Sequence, residues 1–116
     1  MPAFRFRGRT FNNPVELALH VLGGKWKMPL LWRLRERGWR YSELRRDLAR
    51  ITHKMLAQQL RELERDGLVT RTVHAAVPPR VDYAITELGR RAVPAIVELR
   101  SWGSAYRRAF PGDEAR

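Results

Sequence analysis

The sequence predicts a mainly α-helical fold with one small β-hairpin, that is, an α+β domain. Three observations predict this class. Apolar residues recur at helical spacing through most of the 116-residue chain. Between residues 69 and 85 the apolar period changes to two, as it does in a β-hairpin. Glycines and prolines separate these segments, at places where helices and strands are expected to end.

The charge of the chain predicts a polyanionic partner. There are 23 basic against 12 acidic residues, a net charge of +11, and only three of the basic residues are lysines. Arginine presents a planar fork of donors that suits phosphate and guanine, which favours nucleic acid. Genomic base composition is an alternative explanation for the arginine bias, although not for the net charge. Ribosomal and membrane-associated proteins also carry basic surfaces.

The sequence contains no cysteine, which excludes disulfides, thiolate nucleophiles, zinc–thiolate sites and thiol redox sensing within it. It has no apolar run of signal-peptide length and no apolar segment of about 18 residues. We therefore expect a cytoplasmic protein without a membrane partner. The length fits one domain, which we assign to residues 13–110. A basic and aromatic arm, 1–12, precedes it, and we expect a disordered tail at 111–116.

Two helices are predicted at the beginning of the domain. Asn13 is placed as the N-cap of the first, with a proline directly after it. Its expected buried stripe is Leu17, Val21 and Leu22, and two glycines end it. The second helix runs from about residue 25 to 37, with a proline in its first turn, where a missing amide proton costs least. Its apolar anchors are Trp26, Leu30, Leu31 and Leu34.

A short extended link, 39–41, leads to two further helices. Ser42 is the expected N-cap of the third helix, whose Leu44 and Leu48 face inward. Thr52 is the expected N-cap of the fourth, which runs to about residue 66 and ends at Gly67.

The alternating segment that follows is predicted as a hairpin over about 69–85, with Pro78-Pro79 at its tip. Val69, Val73 and Val77 alternate with more polar neighbours on the first strand, as do Val81, Tyr83 and Ile85 on the second. The last helix starts near residue 86 and reaches about 110, and Pro94 is expected to kink or divide it.

A helix followed at once by a basic hairpin is the layout of a winged helix-turn-helix. At about 100° per residue, Leu56, Leu60 and Leu63 stack on one side of the fourth helix. Lys54, Gln58 and Arg61 fall on the opposite side, which we call the reading face. Lysine and arginine donate to phosphate or guanine, and glutamine can pair with adenine. We therefore predict that this helix, about 52–66, is a DNA recognition helix, and that the hairpin is a wing.

The predicted contacts with double-stranded DNA lie on the recognition helix, the preceding turn and the wing. A solvated polar face is the alternative explanation, since most surface helices have one, and Thr52 could serve only as a helix cap. The predicted DNA-binding residues are Arg46, Arg50, Thr52, His53, Lys54, Gln58, Arg61 and Arg80. Asp82 could pair with an arginine of the wing.

Apolar side chains at both ends of the chain exceed what a small three-helix core needs, which predicts a homodimer. Alternatively, the last helix folds back over the core of a monomer. The arm could instead lay its arginines along DNA, or simply be frayed. The predicted interface residues are Phe4, Phe6, Phe11, Leu17, Ile96, Leu99, Trp102 and Tyr106.

Nothing in the sequence predicts catalysis. His20, His53 and His74 lack the spacing of metal ligands, and there is no glycine-rich phosphate loop and no nucleophile motif. We expect no enzyme, no catalytic residue, no bound metal and no cofactor.

The sequence also resembles the HxlR-type winged-helix transcriptional regulators over about residues 13–103. The motifs that carry the resemblance are NPVELALHVLGGKWKMPLLWRL, YSELRRDL, ITHKMLAQQLRELERDGLVTRTVH, VPPRVDYAITELGR and LRSWG. The resemblance implies a homodimeric bacterial regulator that dimerises through its terminal helices. Such a protein represses or activates transcription at palindromic operators, and we expect a repressor, although the residues themselves do not distinguish the two.

One position departs from the family pattern. Many members carry a cysteine just before the PVE of the first helix, and in some that thiol senses oxidants or electrophiles. This sequence has Asn13 there. A small-molecule effector is not identified by the sequence, although the surroundings of Trp26, Trp32 and Trp102 are where one could bind. The alternative functions are a non-sequence-specific, architectural nucleic-acid-binding protein and a winged helix that binds only proteins.

Overall fold

The computed structural model describes residues 2–112. Its elements confirm the predicted class, since helices dominate and the sheets are small and antiparallel. In chain order they are β1 (Phe4–Phe6), β2 (Arg9–Phe11), α1 (Pro14–Leu22), α2 (Lys27–Leu34), β3 (Trp39–Arg40), α3 (Tyr41–Asp47), α4 (His53–Arg65), β4 (Val69–His74), β5 (Arg80–Ile85), α5 (Glu87–Arg90) and α6 (Val93–Ala109).

The core lies where α2, α3 and α4 meet the inner side of the wing. Leucines at helical spacing form its centre, and each has at most 1% of its surface exposed. Burying a leucine completely stabilises a fold by roughly 1.5–3 kcal/mol, so these side chains fix which face of each helix is left outside. The central leucines are Leu30, Leu31, Leu34, Leu44, Leu56, Leu60 and Leu63.

Both ends of α4 are set by local sequence. Thr52 caps it as predicted, because its hydroxyl oxygen accepts a hydrogen bond from the Met55 amide at 3.1 Å. At the other end Gly67 adopts the left-handed conformation, with φ +79°. The Leu68 amide then reaches back to the Leu63 carbonyl at 2.9 Å, which completes a Schellman motif and turns the chain into the wing.

The wing belongs to a three-stranded antiparallel sheet in the order β3-β5-β4. The register pairs Val69 with Ile85 and Arg71 with Tyr83. The short link before α3 is the third strand, and Trp39 pairs with Tyr83. The wing therefore stands beside α3 and α4 rather than extending freely from the molecule.

The segment predicted as an N-terminal arm is instead a hairpin of β1 and β2. It turns through Arg7 and Gly8, whose φ angles of 50° and 78° suit a tight turn. The Phe4 ring stacks on Phe11 with 5.8 Å between their centroids. Arg7 also forms an ion pair of 2.6 Å with Asp66 at the end of α4. Cross-strand pairing and this ion pair supply order that an isolated arm would lack.

Several expected boundaries move in the structure. The third helix begins at Tyr41 with Arg40 as its N-cap, so that Ser42 lies inside the helix, because the pairing of β3 with β5 ends at Arg40. The second helix is shorter than predicted and spans Lys27–Leu34. Pro94 divides the last helix into α5 and α6, as expected.

Three apolar patterns also differ. The expected stripe of α1 is only half-buried, and Val15 and Leu19 of the same helix are 67% and 60% exposed. In the wing, Val73 and Val77 are exposed, because the hairpin extends beyond the core that covers Val69. Of the predicted tail, residues 113–116 lie outside the described part of the chain.

Candidate nucleic-acid interface

The reading face of α4 is directed away from the core. Leu56, Leu60 and Leu63 are completely buried on the inner side of the helix, while Lys54, Gln58 and Arg61 are exposed on the other. Their azimuths follow from the spacing of about 100° per residue. The three side chains therefore form one polar strip along the outside of the helix.

The middle of the reading face is linked to a buried charge that the sequence pattern did not predict. Gln58 Nε2 donates to Glu62 Oε2 at 3.2 Å, and Glu62 Oε1 accepts from Lys27 Nζ at 2.6 Å. The Lys27 side chain is only 8% exposed. Lys27 precedes Leu30, Leu31 and Leu34 by three, four and seven positions, and this spacing could have placed it on the buried side of α2.

His53, at the first position of α4, is held by two neighbours. Its Nδ1 lies 3.1 Å from the Tyr41 hydroxyl, and the two rings stack at 5.8 Å. Its Nε2 lies within hydrogen-bond distance of the Arg45 guanidinium. Because arginine can only donate, Nε2 accepts, which assigns the proton of a neutral ring to Nδ1. His53 therefore ties the start of α4 to α3, a role that was not predicted.

The predicted phosphate contacts on and after α3 are accessible. Arg46 and Arg50 are exposed, whereas Arg45 is half-buried against His53. Arg46 and Arg50 make no side-chain ion pair within residues 2–112, so α3 and the turn before α4 each carry a positive charge that no carboxylate there pairs with.

In the wing, the predicted pairing of Asp82 with an arginine is confirmed. Arg80 Nη2 lies 3.1 Å from Asp82 Oδ2, and His74 Nε2 lies 3.0 Å from the same oxygen. Burial acts to raise the pKa of Asp82, but Arg80 and His74 outweigh it and lower the pKa overall. Arg80 keeps 40% of its side chain exposed, so it is oriented by Asp82 and still reachable.

The predicted dimer residues divide into two groups. Leu99, Trp102 and Tyr106 of α6 are 52%, 65% and 52% exposed. The Trp102 ring stacks on Tyr106 with 5.3 Å between their centroids, and the Phe110 ring lies tilted against Tyr106 at 5.0 Å. We call these four residues the α6 stripe.

Two of the predicted interface residues are not on the surface. Phe11 is 1% exposed because the hairpin packs it beside α1, and Ile96 is 4% exposed because it joins the core. Both side chains are covered by their own chain, which leaves little of either available to a second copy. At the chain ends, Phe6 is 37% exposed, and Phe4 and Leu17 are half-buried.

Within residues 2–112, no three histidine, aspartate or glutamate side chains come together in an arrangement that could hold a metal ion. None of the helices described there is long and apolar enough to cross a membrane.

Comparison with known proteins places this geometry among DNA-binding regulators. A family model described as "HxlR-like helix-turn-helix" matches residues 21–110. The HTH-type transcriptional regulator YdeP of Bacillus subtilis (strain 168) is 47% identical over 94 residues, which cover 81% of this chain and 73% of YdeP. YtcD of the same organism is 44% identical over 105 residues, covering 90% of this chain and 83% of YtcD.

Solved structures show the same fold. The redox regulator HypR in its reduced form superposes with a TM-score of 0.77 at 45% identity, covering 82% of this chain and 94% of that one. The crystal structure of the regulator ytcD gives a TM-score of 0.76 at 45% identity, and the match covers 83% of this chain and 98% of the ytcD chain. A transcriptional regulator of the MarR family from Porphyromonas gingivalis W83 gives a TM-score of 0.75 at 35% identity. That match covers 78% of this chain and 89% of the other.

Proposed function

Because the chain belongs to the HxlR-like helix-turn-helix family, we propose that it regulates transcription as a homodimer bound to an inverted-repeat DNA operator. In this proposal the reading face of α4 contacts base edges in the major groove. Arg46 and Arg50 contact phosphates beside it, and Arg80 contacts the duplex from the wing. His53 and Thr52 act mainly by fixing the start of α4.

The outward direction of the reading face is the observation that carries the proposal. Three fully buried leucines occupy the inner side of α4, so the helix cannot rotate without exposing them. Lys54 and Arg61 make no ion pair within residues 2–112, and their donors are available to guanine or phosphate. Gln58 presents an amide, the group that pairs with adenine, and Glu62 orients it.

The α6 stripe supports a homodimer. Three aromatic rings and a leucine, each at least half exposed, form an apolar surface on one helix that a second copy could cover. Val15 and Leu19 of α1 add exposed apolar surface of the same kind. A two-fold axis through such an interface would present two α4 helices to successive major grooves, about 34–36 Å apart.

The operator can be identified by selecting genomic fragments with the purified protein. We expect the selected sites to share an inverted repeat with half-sites about one helical turn apart. Competition with random duplex then measures specificity. If random duplex competed equally well, the protein would be an architectural nucleic-acid-binding protein instead. If no duplex were retained at low salt, the winged helix would serve only protein contacts.

The assignment of base and phosphate contacts has its own test on the selected operator. Replacing Gln58 or Arg61 with alanine should cost about 1–3 kcal/mol on the operator and relax base preference. Arg46→Ala should weaken binding to all sequences alike. The reading face would be wrongly assigned if all three variants lowered affinity uniformly.

The homodimer is tested by sedimentation velocity on a Trp102→Ala/Tyr106→Ala variant, with Leu88→Ala as a control. Leu88 lies on α5 and is 55% exposed, but it is not part of the α6 stripe. We expect the double variant to sediment as a monomer with weakened operator binding, and the control to remain a dimer. A wild-type monomer at micromolar concentration would contradict the proposal.

We take repression as the mode of regulation, because occupying an operator blocks other proteins without any further contact. Deleting the gene should then raise expression of a reporter placed behind the operator, and a fall would identify an activator. The redox role in the name of HypR is not extended to this chain, because none of its 116 residues is a cysteine.

A further inference from the structure

A groove lies between α4 and the wing, with a volume of about 930 Å³. One wall is the start of α3, the second is the side of α4 next to the reading face, and the third is the inner side of the wing with its tip. We call this space the wing groove. Its lining residues that matter here are Arg40, Arg61, Glu64, Arg71 and Arg80.

The charges of the wing groove do not balance. Four arginines line it against one glutamate. Arg61 makes no ion pair within residues 2–112, and Arg40 and Arg71 are exposed. Arg80 is oriented by Asp82. Cations brought together with so few carboxylates attract an anion.

A second cleft, of about 540 Å³ beside Trp32 and Trp39, provides a contrast. It also contains three arginines, but each of them already donates within the fold. Arg33 pairs with Asp47, Arg35 with the Trp32 carbonyl and Glu36, and Arg37 with the Gly38 carbonyl and Glu43. That cleft has no surplus of positive charge, so the wing groove is the better anion site.

Arg71 is directed into the wing groove by the register of the sheet. It pairs with Tyr83 and lies two positions after Val69, so it shares the inner side of the hairpin with both. Tyr83 is 6% exposed and fixed in the core. Burial raises the pKa of the Tyr83 hydroxyl, and the Arg71 guanidinium beside it partly opposes that effect. Arg71 itself is exposed and lines the groove, so its guanidinium is accessible from that space.

We propose that the wing groove binds the sugar–phosphate backbone of duplex DNA, with Arg40 and Arg71 as phosphate contacts. The inference rests on the function proposed above. Arg61 belongs to the reading face and also lines the groove. When the reading face contacts bases, the sugar–phosphate backbone that carries those bases therefore lies next to the groove. The flanking strand then passes between α4 and the wing tip. Neither Arg40 nor Arg71 was expected from the sequence.

Glu64 is the one carboxylate of the groove and gives the proposal a second consequence. It lies on the α4 wall and is exposed. A phosphate bound by Arg40 or Arg71 would experience its repulsion. Removing this charge should therefore strengthen DNA binding. A variant that had lost its fold would bind DNA less tightly, so a gain in affinity cannot result from misfolding.

The experiment measures fluorescence anisotropy of a labelled duplex of arbitrary sequence, about 24 base pairs long to span two half-sites. Affinity is followed between about 50 and 200 mM salt, since each phosphate contact adds roughly −0.9 to the slope of log K against log salt. Arg40→Ala and Arg71→Ala are compared with Arg91→Ala, which removes the same charge from an exposed site outside the groove. Arg71→Lys keeps the charge.

We expect Arg40→Ala and Arg71→Ala each to reduce the magnitude of the slope by about 1 per subunit. Arg91→Ala and Arg71→Lys should stay near wild type, and Glu64→Gln should bind several-fold more tightly. Thermal melting of each variant checks the fold. If the Arg40 and Arg71 variants matched Arg91→Ala while Gln58→Ala still relaxed base preference, this inference would fail and the proposed function would stand.

Two other outcomes separate the alternatives. If the wild-type protein bound no duplex at low salt, both the inference and the proposed function would be overturned. If an RNA duplex bound with the same affinity and the same dependence on Arg71, the groove would recognise a generic polyanion, and its assignment to the DNA backbone would be wrong.

Discussion

The ion pair between Lys27 and Glu62 allows one prediction to be worked out quantitatively. Lys27 Nζ lies 2.6 Å from Glu62 Oε1, and the two side chains are 8% and 26% exposed. Glu62 also accepts a hydrogen bond from Gln58. The substitution Glu62→Gln keeps the size of the side chain but removes its charge, and it leaves the Lys27 ammonium buried without a carboxylate.

Removing one partner of a fully buried ion pair costs about 3–5 kcal/mol. Because Glu62 keeps a quarter of its surface in water, solvent can reach the ammonium in part, and we expect a loss of about 2–3 kcal/mol at pH 7. Lys27→Met should cost less, about 1 kcal/mol, because the remaining carboxylate is partly hydrated. The double variant should resemble Lys27→Met alone, so the two losses should not add.

The assay is urea unfolding at one fixed protomer concentration, since association contributes to apparent stability. The pH dependence provides a second test. The hydrogen bond from Lys27, followed by that from Gln58, lowers the pKa of Glu62 below its ordinary value of 4.5. This stabilisation is complete above about pH 4.5 and is lost as the pH falls through the folded-state pKa. Glu62→Gln should lack this decline.

The reasoning would be refuted if Glu62→Gln changed the free energy of unfolding by less than about 0.5 kcal/mol, the range of ordinary surface substitutions. It would also be refuted if the double variant lost the sum of the two single losses, because independent sites add and a coupled pair does not.

Three further substitutions test the fold around the interface. Thr52→Ala should lower the stability of the protein by about 1 kcal/mol through loss of the α4 cap, while Thr52→Ser should retain it, as thermal melting can show. Leu60→Ala should lower the free energy of unfolding in urea by about 2–5 kcal/mol. The control Val77→Ala, at a fully exposed residue, should lower it by less than about 0.5 kcal/mol. Asp66→Asn should speed amide hydrogen exchange in β1 and β2, because it weakens the ion pair with Arg7. Unchanged exchange would show that this ion pair does not hold the hairpin in place.

Features that depend on residues close together in sequence were predicted well. The N-cap at Thr52, the glycine after α4 and the proline that divides the last helix each act within one turn of the chain. Predictions failed where strands pair with each other. Ser42 is not the N-cap of α3, because β3 continues to Arg40. The segment predicted as an N-terminal arm is paired as a hairpin. Strand pairing joins distant residues, and a local pattern does not specify the partner.

The functional face shows the same division. The spacing of Leu56, Leu60 and Leu63 was sufficient to direct Lys54 and Gln58 outward, because a helix has only one rotation that buries all three leucines. The interface residues could not be assigned in this way. Phe11 and Trp102 are both aromatic residues near chain ends, yet one is covered by its own chain and the other is exposed.

The sequence alone therefore determined the order of the helices and the wing, the N-cap of α4 and the two faces of α4, because helical periodicity and capping are local physical effects. Only the tertiary structure decided which apolar side chains remain uncovered, how Lys27 reaches Glu62 and that Arg40 and Arg71 line the same groove. Each of these outcomes depends on the distance between segments far apart in the chain, which is set by packing and sheet register and leaves no periodic signal in the sequence.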